Sequence, residues 1–440
     1  MKKRLALLMM LLVTVLALSG CVTMTVDQMY ALPKRSTKFN DLQTAIDGAM
    51  AGLEYSAPAS GENQQTVQMA DLNGDGEDEY LLFARGSGEK PLKILVFTRS
   101  GDNYTHIDTI ESLGSAFRQV EYVDMDETPG VELVVGRSVS DQVVGAVAVY
   151  TFSEGQAQQL MSVSYSRFVT ADLDSNGLGE LMVIAQSETE GGNGIAFMYS
   201  CEGGNMVRSA EASLSAAPEN IKRIMVSGLS GGIPAVYVAS AVDESAIITD
   251  VLAIRNDLFT NVSFSNESGT SVQTLRNHYV YADDLDEDGE LELPSLMTMN
   301  TGRQRGNTNM QYLIRWYTMG LDGSETDKMY TFHNYDAGWY IRLDSQWAHR
   351  ILVSQEGSTY TFYLWSDRFT YTRKLLTVYA LNGADREEAA VSDGRFILHR
   401  GEGVIYCAKL EAAVTECGIT EEKLINHFRL IQLDWKTGET

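Results

Sequence analysis

A nine-residue acidic segment recurs along this chain of 440 residues. Four copies, each with Asp first and Glu ninth, read DLNGDGEDE, DMDETPGVE, DLDSNGLGE and DLDEDGELE at residues 71–79, 124–132, 172–180 and 284–292. A degenerate fifth copy, GLSGGIPAV, occupies residues 228–236. Successive copies begin 48 to 56 residues apart. A period near fifty residues predicts one supersecondary unit per repeat, with the units stacked or arranged radially.

The segments between the copies have the length and pattern of β-strands. After the first copy come YLLFA, PLKILVF, YTHIDTI and FRQVEYV, each bounded by Gly, Asp, Asn or Ser. No helical periodicity separates them, so each repeat should contribute four strands. Because such a unit buries its faces only against neighbouring units, we expect the repeats to close into a ring.

The spacing within the copies is suited to a hard cation. Calcium takes roughly six to eight oxygen ligands, so a tight loop would present side chains 1, 3, 5 and 9 and the carbonyl of position 7, with Gly at position 6. The predicted ligands are Asp71, Asn73, Asp75, Glu77 and Glu79; Asp172, Asp174, Asn176, Leu178 and Glu180; and Asp284, Asp286, Asp288, Glu290 and Glu292.

The copy at 124–132 departs from this pattern. It keeps Asp124, Asp126 and Glu132 but has Thr128 at position 5 and Pro129 where Gly belongs. We expect it to bind a cation weakly or not at all.

The acidic loops have two other interpretations, an EF-hand and a turn without metal. An EF-hand needs a bidentate Glu at position 12 and flanking helices, whereas position 12 is Leu82 in the first copy and Val183 in the third. The alternative of metal-free Asp, Asn and Gly turns stays open. Clustered carboxylates repel one another unless a cation neutralises them, which favours the metal interpretation.

The loops resemble the D-x-D-x-D-G-x-x-D/E loops of FG-GAP and VCBS-type β-propellers over about residues 60–330. This resemblance implies a mainly β fold, a β-propeller of four-stranded blades over residues 41–325, and calcium ions that are structural. Such ions would be encircled by protein oxygens at blade junctions and would take no part in catalysis.

The N-terminus has the features of a secretory signal. Lys2, Lys3 and Arg4 precede an apolar run, and LSGC ends at Cys21. LSGC resembles the bacterial lipobox, which implies cleavage after residue 20, a lipid on Cys21 and attachment to the cell membrane outside the cytoplasm. The alternative is an ordinary signal peptide that ends near a cysteine. Residues 21–40 would form a tether, followed by a short helix over Asp41–Leu53.

Charge restricts the partners. The formal net charge is −25, and loss of the three cationic signal residues lowers it to −28. So acidic a chain is repelled by nucleic acid and by anionic lipid surfaces. The cysteines beyond Cys21, which are Cys201, Cys407 and Cys417, are too few for a disulfide scaffold. A Cys407–Cys417 bridge is the alternative to unpaired, partly buried thiols.

Composition changes after about residue 325. The five tryptophans all lie in the last third, at Trp316, Trp339, Trp347, Trp365 and Trp435. Segments such as GWYIRL, YTFYLW and VIYCAKLEA predict strands, and TEEKLINHF predicts a helix with Thr420 as N-cap. We expect residues 326–440 to form a separate α+β domain. The alternative is a pair of irregular blades that complete a single seven-bladed propeller.

No catalytic constellation is evident. Gly228 to Gly232 matches the G-x-S-x-G nucleophile elbow, but a strand-like run follows it where that motif requires a helix. The six histidines show no metal spacing.

The order of lipobox, helix, acidic repeats and aromatic tail resembles the VCBS-repeat lipoproteins of many Firmicutes, whose activity is largely unassigned. We therefore expect a non-enzymatic, calcium-stabilised surface lipoprotein that binds or scaffolds an envelope protein or a glycan. The alternatives are a hydrolase or lyase acting on polysaccharide or peptide, or a tail domain that carries the function.

Overall fold

The computed structural model describes residues 37–101, 103–139, 145–187, 192–297, 311–365 and 372–431. The signal peptide, Cys21 and residues 21–36 of the predicted tether lie outside these ranges. The predicted first helix, α1, occupies Thr37–Ala49 and so includes the last residues of that tether. None of the described helices is both long and apolar enough to span a membrane.

Most described residues belong to six antiparallel sheets that follow one another along the chain. Sheet 1 contains β1 (Glu54–Tyr55), β2 (Val67–Ala70), β3 (Glu79–Arg85), β4 (Leu92–Ser100) and β5 (Asn103–Ser112). Sheet 2 contains β6 (Ala116–Val123), β7 (Glu132–Ser138), β8 (Gly145–Ser153) and β9 (Gln156–Tyr165). Sheet 3 contains β10 (Arg167–Ala171), β11 (Glu180–Gln186), β12 (Gly194–Glu202) and β13 (Asn205–Ser213).

The second half of the chain continues this series. Sheet 4 contains β14 (Ile221–Leu229), β15 (Ile233–Ala241), β16 (Ile247–Arg255) and β17 (Leu258–Asn261). Sheet 5 contains β18 (Leu293–Met297), β19 (Gln311–Met319), β20 (Glu325–Asn334), β21 (Trp339–Leu343) and β27 (Phe428–Leu430). Sheet 6 contains β22 (Ile351–Glu356), β23 (Thr359–Trp365), β24 (Thr372–Asn382), β25 (Phe396–Arg400) and β26 (Val404–Leu410).

Short helices connect or flank these sheets. They are α2 (Ser345–Ala348), α3 (Arg386–Val391) and α4 (Glu421–His427), with 3-10 turns at Pro218–Asn220, Val272–Thr274 and Ala412–Glu416. The side chain of Thr420 accepts a hydrogen bond from the N–H of Lys423 at 3.2 Å, which confirms the predicted N-cap.

Sheets 2, 3 and 4 are four-stranded meanders, which confirms the predicted repeat unit. Successive side chains of a strand point to opposite faces, so a strand between two sheets must be apolar at every position. On β7, Val134 packs in the core toward sheet 3 and Val135 in the core toward sheet 1. On β15, Val236 faces sheet 3 and Tyr237 faces sheet 5. Each sheet is therefore packed on the next in chain order.

The two end sheets are covered by helices. Leu42 and Ile46 of α1 pack on the outer face of sheet 1 against Leu82 and Phe97. Ala390 of α3 packs on sheet 6. Within the described ranges, no hydrophobic cluster joins sheet 1 to sheet 6. Closure of the sheets into a propeller therefore stays a prediction.

The C-terminal region shares a sheet with the region before it. Strand β19 pairs with β20, and the predicted boundary between residues 325 and 326 falls inside β20. Strand β27, from the end of the described chain, adds to β21 as the edge of sheet 5. Trp316 and Trp339 are fully buried, so these two rings belong to the core.

Candidate metal centre

Three acidic loops occupy equivalent places in their sheets. Residues 71–78 connect β2 to β3, residues 124–131 connect β6 to β7, and residues 172–179 connect β10 to β11. The loop at 284–292 leads into β18, with Asp283 and Glu292 forming an isolated antiparallel bridge across it. Strands flank the first three loops on both sides, as predicted, and no helix of the described chain flanks the fourth, which excludes the EF-hand.

The ninth residue of each loop fixes it to the protein interior. Glu79, Glu132, Glu180 and Glu292 are at most 3% exposed. The Oε2 atom of each accepts a hydrogen bond from the N–H of the second loop residue, at 3.1, 2.8, 2.8 and 2.8 Å. That second residue is apolar and packs inward, so the carboxylate is buried together with it.

The first residue of the loop organises the turn. Asp284 accepts hydrogen bonds from the N–H groups of Asp288 at 3.1 Å and Gly289 at 2.9 Å. Asp71 and Asp172 accept the same pair of backbone donors in their loops. The glycine at position 6 has a positive φ, 86° for Gly289, which L side chains rarely adopt.

Two loops bring three carboxylates together. Oxygen atoms of Asp172, Asp174 and Glu180 lie within 4.8 Å of one another, as do oxygen atoms of Asp284, Asp286 and Glu292. Each group could hold a metal ion. The Oε1 atom of Glu292 is buried without a hydrogen-bond partner, so this carboxylate has a ligand atom to spare.

Burial sets the protonation of these glutamates. Loss of hydration raises the pKa of Glu79, Glu132, Glu180 and Glu292, and the neighbouring aspartates raise it further. The pKa of Glu292 rises from 4.5 to about 7. The pKa of Asp286 also rises, through burial and then the charge of Asp288. A bound cation would oppose both effects.

The loop at 71–79 has a different internal arrangement. The side-chain amide nitrogen of Asn73 donates to Oε1 of Glu79 at 3.0 Å, and its oxygen accepts from the N–H of Asp75 at 2.9 Å. The equivalent residue in the copy at 172–180 is Asp174, whose carboxylate cannot donate such a hydrogen bond to Glu180. The predicted ligands Asp75 and Glu77 are exposed.

The departures at 124–132 have a visible structural effect. Pro129 has no N–H, so Asp124 lacks the donor that Gly76, Gly177 and Gly289 supply elsewhere. The Oδ1 atom of Asp126 accepts from the N–H of Thr128 at 2.6 Å, as the third residue does in the first and third copies, and it also accepts from the Thr128 hydroxyl at 2.5 Å. Weak binding by this loop stays a prediction, now with a structural reason.

Several contacts of the loop at 284–292 could not be predicted from the sequence. Lys328 of β20 forms ion pairs with Asp288 and Glu290, the latter at 3.4 Å. The side chain of Glu290 also accepts from the N–H of Gly231 in the degenerate copy at 2.7 Å. Lys328 lies 40 positions after Asp288 with no motif around it, so no sequence signal connects the two.

The loops of neighbouring sheets touch. The N–H of Gly179 donates to the carbonyl of Asp124 at 2.7 Å, and the N–H of Gly228 donates to that of Gly289 at 3.3 Å. A Cβ on Gly74 would lie 2.4 Å from Pro129, so the first two loops are also in close contact. The loops therefore connect successive sheets as well as strands within a sheet.

The remaining sequence candidates show no catalytic arrangement in the part of the chain that the structure describes. Ser230 lies in the turn between β14 and β15, so strand follows strand and the nucleophile elbow is absent, as predicted. His278 and His333 lie among aromatic rings. Cys201, Cys407 and Cys417 are free thiols, which confirms the prediction over a Cys407–Cys417 bridge.

Neither a protein-family profile nor a curated protein sequence matches this chain. Among solved structures it is similar to the exotype rhamnogalacturonan lyase YesX, with 15% identity, TM-score 0.33, and coverage of 75% of this chain and 67% of the lyase. The rhamnogalacturonan lyase of Bacillus licheniformis gives 11% identity, TM-score 0.29, and coverage of 73% and 72%. A Lactobacillus plantarum protein gives 10% identity, TM-score 0.28, and coverage of 72% and 86%.

Proposed function

We propose that this protein is a calcium-stabilised binding or scaffolding platform that a lipid on Cys21 holds at the outer side of the cell membrane. The observation that carries the calcium part is the convergence of three carboxylates at 172–180 and again at 284–292. The spare, buried Oε1 atom of Glu292 supports it further. Repulsion among these groups disfavours the loop geometry unless a cation is bound.

The donor set favours calcium over other divalent ions. All predicted ligands are oxygens, whereas zinc is usually bound by nitrogen and sulfur. Magnesium requires near-ideal octahedral geometry and usually keeps several waters, whereas calcium accepts irregular sets of carboxylate, amide and carbonyl oxygens. Acidic loops that are held by their own backbone N–H groups can supply such a set.

The place of the loops explains a stabilising role. Glu79, Glu132 and Glu180 begin β3, β7 and β11, Glu292 immediately precedes β18, and adjacent loops contact one another. A cation bound there would hold strand ends and neighbouring sheets in register. It would supply charge neutralisation and coordination, while the chain's own residues determine the fold.

The fold and location complete the proposal. Consecutive meander sheets, each packed on the next, support a β-propeller of the FG-GAP or VCBS type. The signal sequence and LSGC support a lipid anchor on Cys21. The formal charge of −25 supports an envelope protein or a glycan as the partner, since anionic polymers and lipid surfaces would be repelled.

The calcium function is tested by titration calorimetry on the chain that begins at Val22. We expect saturable calcium binding, weaker magnesium binding, and the loss of one calcium ion per chain in each of Glu180→Gln and Glu292→Gln. Glu132→Gln is the matched control, since its loop should hold calcium weakly at most. Equal stoichiometry in all four proteins would contradict the assignment.

The anchor is tested separately in cells. Metabolic labelling with a fatty-acid analogue should mark the full chain and should fail in Cys21→Ser. Labelling that persists in Cys21→Ser, or is absent from both proteins, would refute the lipid attachment.

A further inference from the structure

A cleft of about 650 Å³ lies where sheet 5 meets the last helix. Its lining includes Lys328 of β20, Arg342 of β21, Asp344, and Lys423 and His427 of α4. The volume falls within the usual range of small-ligand sites. None of these residues belongs to the predicted ligand set of the acidic loops.

The cleft is electropositive in an otherwise acidic protein. Its lining carries three cationic side chains and one carboxylate, whereas the whole chain has a formal charge of −25. Lys423 and His427 are four residues apart, so they share one face of α4. A concave surface with low-dielectric walls concentrates such a field and raises the local concentration of anions.

Among the cations that line the cleft, Arg342 is the one that has no carboxylate partner in the described part of the chain. Its Nη2 donates to the carbonyl of Leu285, and its Nε lies 3.3 Å from the sulfur of Met329. Across the described ranges, Nη1 has no hydrogen-bond acceptor and the guanidinium has no carboxylate partner.

The other two cations differ in this respect. Lys423 pairs with Asp344, and Lys328 pairs with Asp288 and Glu290 of the neighbouring acidic loop. These pairs hold the two ammonium groups in the lining of the cleft that Arg342 also lines. Their side chains stay partly accessible, at 37% for Lys423 and 23% for Lys328.

We propose that this cleft binds a small anionic ligand through a carboxylate or phosphate group, with Arg342 as the principal contact and Lys423 and Lys328 on its flanks. A guanidinium presents parallel N–H donors that match the oxygens of either group, and such charge-assisted bonds are stronger than neutral ones. The site gives the chain an affinity for acidic small molecules that its overall charge alone disfavours.

Titration calorimetry on the chain that begins at Val22 tests this, with inorganic phosphate and glucuronate as probes and glucose as the neutral control. We expect saturable binding of at least one anion with a Kd of about 1 mM or tighter, and no binding of glucose. The tighter probe identifies the group. Arg342→Gln should weaken binding by about tenfold or more.

Two further variants keep the test informative if Arg342→Gln does not fold. Lys423→Gln removes a partly exposed charge and leaves Asp344 unpaired, so it should also weaken binding. Arg208→Gln is the matched control, since Arg208 is an exposed arginine of sheet 3. Absence of saturable anion binding, or equal binding in the three variants and the parent chain, would overturn the proposal.

Discussion

Substitution of Glu292 by Gln should stabilise the chain in chelator and reduce the stabilisation that calcium provides. The side chain is 0% exposed, its Oε2 accepts from the N–H of Leu285 at 2.8 Å, and its Oε1 has no partner. Gln has the same shape and keeps an oxygen for that N–H. The substitution therefore removes mainly the negative charge.

In chelator the charge is a cost to the folded state. Burial raises the pKa of Glu292 from 4.5 to about 7. A carboxyl group whose pKa is higher in the folded state favours folding below the unfolded pKa, and this advantage is lost as pH rises through the folded value. At pH 7.5 the ionised side chain should cost up to about 3 kcal/mol, and Glu292→Gln should recover part of that.

With calcium bound, the same carboxylate contributes to stability. A ligand at 100 times its Kd stabilises the folded state by about 2.7 kcal/mol, and loss of a carboxylate ligand removes most of this gain. The calcium-induced increase in the free energy of unfolding should therefore be about 2 kcal/mol smaller in Glu292→Gln than in the parent chain. The other loops continue to respond.

Urea unfolding at pH 7.5, in calcium and in chelator, measures both effects. Glu132→Gln is the matched control, because Glu132 is equally buried and accepts from the N–H of Met125 at 2.8 Å, but its loop contains Pro129. It should be stabilised in chelator and keep the full calcium response. The reasoning fails if Glu292→Gln has the same effect in both solutions, or if Glu132→Gln loses the calcium response equally.

Three other predictions follow from named contacts. Thr128→Asp with Pro129→Gly restores the loop pattern and should add one calcium ion per chain by titration calorimetry. Lys328→Gln removes a cation that competes for Asp288, and should tighten calcium binding at 284–292 by up to about tenfold. Burial lowers the pKa of His278 from 6.5 to about 4, so its contribution to stability is lost as pH falls from 6.5; between pH 7 and 5 the parent chain should lose about 1–2 kcal/mol more than His278→Gln in urea unfolding.

Each of these three predictions has an outcome that would contradict it. Unchanged stoichiometry in the double variant would show that more than the fifth and sixth loop positions is defective. Unchanged or weaker calcium affinity in Lys328→Gln would show that the lysine does not compete with the cation. Equal pH dependence in the parent chain and His278→Gln would contradict the effect of burial on that ring.

Local sequence patterns predicted the repeat unit well. One turn sets the distance from Asp71 to Glu79, and the Gly, Asp and Asn residues in that turn determine its shape. The nine-residue sequence is therefore enough to locate the turn. The strand pairs on either side then follow from apolar periodicity. A local sequence pattern, TEEKLINHF, likewise predicted the N-cap at Thr420.

Long-range contacts were beyond such patterns. Sheet 5 brings β20 and β21 beside the loop at 284–292, so Lys328 contacts Glu290 and Arg342 contacts Leu285. No residue spacing in the sequence predicts these contacts. The addition of β27 to sheet 5 depends on where the chain returns in space. The direction of the Asn73 amide is set by hydrogen bonds within the folded loop.

The most direct test of the central claim is thermal unfolding of the chain that begins at Val22, with millimolar calcium and again with a chelator. The account predicts a large calcium-dependent rise in Tm, because binding to the folded loops adds its free energy to that of folding. Identical Tm values in the two solutions would contradict the metal assignment and leave the acidic repeats as turns held only by their own hydrogen bonds.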